Sequence, residues 1–197
     1  MLLLASASPR RRDLLTQAGF VFRVESIPID EARLAGEEPT ELVQRLAREK
    51  AEAVFHAREK SVDLQDRSLL VLGADTIVLC EGEVLGKPVD DADAVRMLRL
   101  LAGRTHQVIT GICLISHAGM EVAAEITDVT MFVKSEEEIR AYVATGEPMG
   151  KAGAYAIQGL AGRWIPRISG CYFNVVGLPL ARVSAMIEAS QKNVRAG

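Results

Sequence analysis

Three consecutive arginines stand where an apolar run gives way to a helical pattern, in Ser6-Ala-Ser-Pro-Arg-Arg-Arg-Asp-Leu-Leu15. Ser8 suits an N-cap, Pro9 suits the first helical position, and the N–H groups of that turn point outward. With the positive end of the macrodipole added, the place suits an anion, phosphate above all. The plainer alternative is a capped helix with a solvated basic face. The chain has 23 basic and 26 acidic residues and a net charge of −3. A basic cluster is therefore a local feature, and the balance excludes generic nucleic-acid binding, which needs a basic surface.

Acidic residues supply the complementary chemistry. Asp75 follows the apolar run Leu69-Leu-Val-Leu-Gly-Ala74, which reads as a buried strand. A carboxylate just past such a strand lies at the sheet edge where α/β proteins bind ligands. As an isolated Gly-Ala-Asp it would serve equally as a turn cap. Glu31, in Pro28-Ile-Asp-Glu31, is a second acid in a loop after a strand. Two carboxylates beside a polyphosphate are a normal way to hold Mg²⁺, which takes few protein ligands; an acidic surface loop is the alternative. Lys50 shares a helical pattern with Arg45, Arg48, Glu49 and Glu52, charges expected to be mostly solvated helix surface. Lys87, in Gly86-Lys87-Pro88, follows a hairpin and has its backbone held by the proline. Gly82-x3-Gly86-Lys87 and Gly146-x3-Gly150-Lys151 each lack one spacer and the Ser/Thr of a P-loop, so neither is read as one. Gln158, between Ile157 and Gly159, carries an amide that donates and accepts, as the imide edge of uracil or thymine requires. A loop glutamine bonded to nearby backbone is its plain alternative.

The elements that would position these residues alternate. Leu2–Ala5 reads as a strand, Pro9–Ala18 as a helix ended by Gly19, and Val21–Val24 as a short strand. Thr40 to Lys60 is amphipathic at helical spacing, with Leu42, Leu46, Ala53 and Val54 among its apolar residues. Ser68–Gly73 is a central-strand run that continues through Asp75 into Thr76–Cys80 and a turn at Glu81-Gly-Glu83. Asp90–Leu101 is a helix, and Gln107–Ser116 with Glu121–Lys134 makes a long antiparallel hairpin. Ser135 caps a helix with three glutamates in its first turn. A Gly-rich loop spans Gly146 to Gly170, Phe173–Val176 is a strand, and a last helix runs from Leu178-Pro179 to about Ser190. The pattern predicts a mixed α/β domain.

At 197 residues, 49% hydrophobic and 25% charged, the chain suits one α/β domain or two small lobes. Cys80, Cys113 and Cys171 show no C-x-x-C pair, and His56, His106 and His117 are scattered. That pattern fits a reducing compartment and offers neither a zinc framework nor a histidine metal site. The apolar start is too short for a signal peptide, and no later stretch reaches membrane-spanning length. The protein is expected to be cytoplasmic, with no membrane and no stable nucleic-acid partner.

Taken together, ASASPRR near the start, RLAREKA at 45–51, LGADTIV at 72–78, GKP at 86–88, and TGEPMGKAGAYAIQG with the later NVVGLPL resemble the Maf family of nucleoside-triphosphate pyrophosphatases. The resemblance covers nearly the whole chain. It implies a single mixed-sheet α/β domain over 1–190, or two lobes around a central cleft, of the Maf and inosine-triphosphatase kind, with a polar tail at 191–197. It implies hydrolysis of a nucleoside triphosphate between the α and β phosphates, giving the monophosphate and pyrophosphate. Carried over by motif, Ser6, Arg10 and Arg11 would grip phosphates, with Arg12 left on the surface, and Lys50 and Lys87 would neutralise charge. Glu31 and Asp75 would bind a divalent cation, Mg²⁺ first, Mn²⁺ or Co²⁺ otherwise. Asp75 would also orient or deprotonate the attacking water. Arg10, Thr76 and Gln158 match the dTTP/UTP branch, and a homodimer is a family-level expectation. Gly150 departs from the family, where many members have aspartate. Two other readings stand beside this one: a non-catalytic nucleotide-binding regulator of cell division, and a pyrophosphatase for modified purine nucleotides.

Overall fold

A computed structural model describes residues 1–59 and 69–196, with the side chains of 193–196 left aside. Four apolar residues form β1 (Leu2–Ala5), and Pro9 then opens α1 (Pro9–Gln17). Gly19, at φ +78, turns the chain into β2 (Phe22–Val24). β1 pairs in parallel with β2 on one side and with β3 (Leu70–Cys80) on the other. The β1–β3 register sets Ala5 opposite Gly73. Ser6 and Ala74 therefore leave that register side by side, at the carboxyl end of β1.

α2 (Pro39–Glu59) buries Leu42, Val43, Leu46, Ala47, Ala51, Val54 and Phe55, one stripe at helical spacing. It lies unusually close to the sheet. A Cβ at Gly73 would sit 2.1 Å from the Ala47 carbonyl oxygen, and one at Gly111 would sit 2.1 Å from that of Val43. The two glycines are what permit this approach of backbone to backbone.

β3 turns through Glu81 (φ 50) and Gly82 (φ 82) into β4 (Glu83–Leu85). Two positive φ values in a two-residue loop suit the twist of an antiparallel hairpin, and Cys80 pairs with Glu83. α3 (Asp91–Leu101) is capped by the Asp90 carboxylate, which accepts from the Asp93 N–H. β5 (Thr105–Ser116) and β6 (Gly119–Thr130) are sheet neighbours joined by His117 and Ala118, a connection only an antiparallel pair allows. α4 (Glu136–Val143) opens on a full capping box between Ser135 and Glu138. β7 (Arg167–Ser169), α5 (Tyr172–Val176) and α6 (Leu180–Ala196) complete the chain. The strand order is β2-β1-β3-β5-β6-β7, with β4 on β3. It is a mixed seven-stranded sheet of the α/β class.

The contacts divide the chain into two compact units, Met1–Asp75 with Thr110–Glu125 and Gly177–Gly197, and Thr76–Ile109 with Ile126–Val176. The first has a core built on Leu3, Ala47, Ala51, Val54, Val71 and Cys113. The second is built on Val78, Leu98, Leu101, Met131, Tyr142 and Trp164.

Several expectations need correction. Asp75 is not at a strand's end but within β3: the run that continues through it into Thr76-Ile-Val-Leu-Cys80, as its apolar pattern predicts, is one strand and pairs with β4. Phe173–Val176 is helical, not extended. The Asn174 amide there donates to the Val108 carbonyl and to Thr127 Oγ1, each at 3.0 Å, and these tertiary bonds override a β-branched sequence. The expected loop from Gly146 to Gly170 contains two short 3₁₀ segments, Ala152–Ala154 and Leu160–Trp164, and β7. β6 ends at Thr130, short of Lys134. The last helix continues to Ala196, past its expected end near Ser190. The predicted ends at Lys60 and Ser68 lie outside the described residues.

Candidate functional site

In the first unit the β1–α1 loop brings Ser6 and Arg11 together. Ser6 Oγ accepts from the Ser8 N–H at 3.3 Å and from Arg11 Nη1 at 3.0 Å. Ser8 holds the N-cap position with extended backbone, but its hydroxyl caps no N–H. Arg11 is buried, with 8% of its surface exposed. Its Nε donates to the Gly177 carbonyl at 2.8 Å and its Nη1 to the Ala74 carbonyl at 2.9 Å. Burial lowers its affinity for the proton and the Asp75 carboxylate opposes that effect. The guanidinium thus ties the loop to the residue before Asp75. Arg10 is half-buried and Arg12 is exposed beside Asp13, in line with the surface role expected for Arg12.

Glu31, Lys50 and Asp75 meet at one point. Lys50 Nζ lies 2.5 Å from Glu31 Oε1 and 2.6 Å from Asp75 Oδ1, and the lysine side chain is only 12% exposed. α2 supplies the lysine, β3 the aspartate, and the segment between β2 and α2 the glutamate. The two carboxylates therefore already converge on a cation. Such an oxygen pair fits Mg²⁺, which keeps most of its coordination for water and substrate oxygens.

The segment carrying Glu31 is clipped to α2 by a residue expected on the solvated surface. Arg45, 13% exposed, meets Glu37 Oε1 at 2.6 Å and Oε2 at 3.0 Å, Glu49 at 3.2 Å, and the carbonyl of Ala32 at 2.9 Å. The bond from Arg45 holds the Glu37 carboxyl below the usual carboxylate range. Arg33 adds Nε and Nη2 bonds to the Glu37 carbonyl. Nothing in the local spacing of Glu37 and Arg45 announces this pair; the RLAREKA motif was its only trace.

Thr76, Lys87 and Gln158 belong to the second unit. Thr76 is half-buried in β3, and Lys87 is exposed just past β4. The Gly86 carbonyl beside Lys87 accepts from the Gly153 N–H at 3.1 Å. Gly82 sits in the hairpin turn and Lys151 Nζ donates to the Glu147 carbonyl at 2.5 Å, so neither near-match to a P-loop forms one. Gln158 is exposed between the two 3₁₀ segments. Gly150, at φ +72, has open space where a Cβ would stand.

Residues 1–190 match the family described as Maf-like protein. The chain belongs to the Maf-like family. Its relatives include the dTTP/UTP pyrophosphatase of Koribacter versatilis (strain Ellin345), 53% identical over 186 residues, which are 94% of this chain and 92% of that protein. The dTTP/UTP pyrophosphatase of Syntrophomonas wolfei subsp. wolfei is 48% identical over 97% of this chain and 98% of its own length. That of Pelotomaculum thermopropionicum is 50% identical over 98% of each. The α/β class expected from the Maf-like resemblance is the one observed. Among the described residues no helix is long and apolar enough to cross a membrane.

Proposed function

We propose that this Maf-like protein hydrolyses nucleoside triphosphates, dTTP and UTP in preference, between the α and β phosphates, releasing the monophosphate and pyrophosphate. The observation that carries the reading is the convergence of Glu31 and Asp75 on one cationic nitrogen in the first unit. The single charge of Lys50 offsets only one of these two acids, and the other would repel a polyphosphate unless a further cation joined them. The names of the relatives support the choice of substrate.

In this reading Glu31 and Asp75 hold a divalent cation, Mg²⁺ first. When bound, it supplies charge neutralisation and a more acidic water. The remaining work falls to the chain itself. The Asp75 carboxylate orients the attacking water and accepts its proton, a role helped by its place in a rigid strand. Lys50 and Lys87 offset charge on the phosphates, and Ser6 and Arg10 bind phosphate oxygens at the start of α1. Arg11, expected from the motif to grip phosphate with them, is buried with its Nε and Nη1 on Gly177, Ala74 and Ser6, and in this reading it supports the loop. In the second unit Gln158 reads the imide edge of the pyrimidine with Thr76 alongside. Phosphoanhydride hydrolysis needs mainly such positioning and charge stabilisation. The three free cysteines fit a reducing compartment, and we place the protein in the cytoplasm.

The test is pyrophosphate release from dTTP and UTP, with and without Mg²⁺, for the wild type and Asp75→Asn. The asparagine keeps the shape but loses charge and proton acceptor, so kcat should fall about a hundredfold or more. Retention of most activity by Asp75→Asn removes Asp75 from catalysis. Tight dTTP binding without any pyrophosphate release would favour a binding regulator instead.

A further inference from the structure

The TGEP motif at 145–148 has no part in the chemistry above, yet its glutamate is built into the second unit's interior framework. Tyr142, in the last turn of α4, is 3% exposed and stands edge-on to Trp164 with ring centroids 4.8 Å apart. Its Oη donates to Glu147 Oε1 at 2.8 Å and accepts from the Ala156 N–H at 3.3 Å. The other carboxylate oxygen, Oε2, accepts from the Leu160 N–H at 3.1 Å. A Cβ on Gly159 would lie 2.3 Å from Glu147 Oε1, so the segment passes directly over the carboxylate. The backbone on either side of Gln158 is thus pinned, at 156 and at 160, to one phenol–carboxylate pair.

The pair is itself held. The Glu147 N–H donates to Thr145 Oγ1, and its carbonyl accepts from Lys151. Burial and the neighbouring carboxylate raise the Tyr142 phenol's pKa, which keeps it a proton donor at every working pH. Gln158 has no such contact of its own in this framework; only its flanking backbone is fixed.

We propose that Tyr142 and Glu147 are positioning residues for base selection, which set the orientation of Gln158 by pinning residues 156 and 160. This rests on the reading of Gln158 as a base contact. A pinned backbone fixes where the Gln158 amide can reach, so the base edge meets its donor and acceptor at one distance and angle. Loss of the brace would let the amide meet uracil and cytosine alike.

The experiment compares kcat/KM for UTP, dTTP, CTP and ATP in the wild type, Gln158→Ala, Tyr142→Phe, Glu147→Ala and Glu147→Gln. Tyr142→Phe keeps the ring against Trp164 and removes only the hydroxyl. Its UTP-over-CTP ratio should fall about three- to tenfold, the scale of one hydrogen bond. Glu147→Ala should fall further, and Glu147→Gln should recover part of the ratio, because an amide oxygen still accepts from Leu160. A general loss of folding would lower all substrates together and leave the ratio unchanged. If Gln158→Ala loses the preference while Tyr142→Phe and Glu147→Ala keep it, the positioning role is wrong and the base contact stands. If Gln158→Ala keeps the preference, the base contact itself fails and the proposal falls with it.

Discussion

Replacing Arg11 by methionine should destabilise the nucleotide-free protein. Methionine fills much of the same volume but offers no donor to the Gly177 and Ala74 carbonyls or to Ser6 Oγ. A buried polar group left unpaired costs about 1–3 kcal/mol. Carbonyls and a rotatable hydroxyl find partial substitutes, so a total of about 3 kcal/mol is expected. That is a large share of a stability of roughly 5–15 kcal/mol. With a urea slope of about 2 kcal/mol/M, the midpoint should drop by roughly 1.5 M. Arg11→Lys keeps the charge but not the fork, and should fall between. Arg12, whose side chain is 57% exposed, provides the contrast: Arg12→Met should change stability by less than about 0.5 kcal/mol. Urea unfolding followed by circular dichroism, without nucleotide, measures all three. A group serving only phosphates would leave this midpoint alone. A midpoint for Arg11→Met within about 0.2 M of the wild type, at equal slope, refutes the supporting role.

Arg45→Ala would strand the Glu37 carboxylate and release the Ala32 carbonyl, at a cost of about 3–5 kcal/mol for a broken, largely buried pair; trypsin should then cut after Arg33 faster than in the wild type, and an unchanged rate counts against the clip. Burial lowers the His106 pKa from 6.5 to about 4, so the unfolded chain binds a proton that the folded one refuses between those values. The stability advantage of the wild type over His106→Gln should therefore shrink by about 1.4 kcal/mol per pH unit as the pH falls from 6.5 to 4, read from urea midpoints across that range. Gly73→Ala should lose at least about 1–3 kcal/mol by overpacking and lower kcat as well, since α2 carries Lys50 and β3 carries Asp75. Gly86→Ala, with open space at its Cβ, should be neutral in thermal melts.

Periodicity alone located most elements, because long amphipathic runs such as α2 and capped starts such as Ser135 leave strong local signals. Asp75 stands out in the sequence as a candidate site residue, but a carboxylate in a buried run also looks like the end of a strand. The run that continues through Asp75 into Thr76–Cys80 is nevertheless one strand, and its far half pairs with β4. Phe173–Val176 misled for the opposite reason: its β preference is real, and Asn174 outweighs it through partners far along the chain. Arg11 and Arg12 are indistinguishable as letters, and which one turns inward depends on the Ala5–Gly73 register. Arg45 and Glu147 are legible only as parts of motifs, because no sequence pattern marks their pairing with Glu37 and the Ala32 carbonyl, or with Tyr142 and the Leu160 N–H.

The close seating of α2 also limits how this protein can drift. At Gly73 and Gly111 the atoms most in the way of a side chain are backbone, the carbonyl oxygens of Ala47 and Val43, with the Ala51 methyl behind the first. Shrinking a neighbouring residue therefore makes no room, and no single compensating substitution elsewhere restores the fit. A lineage that loses either glycine must either regain it or move the whole helix. Moving the helix carries Lys50 away from Glu31 and Asp75, so those two small residues, silent in the chemistry, are tied to its survival.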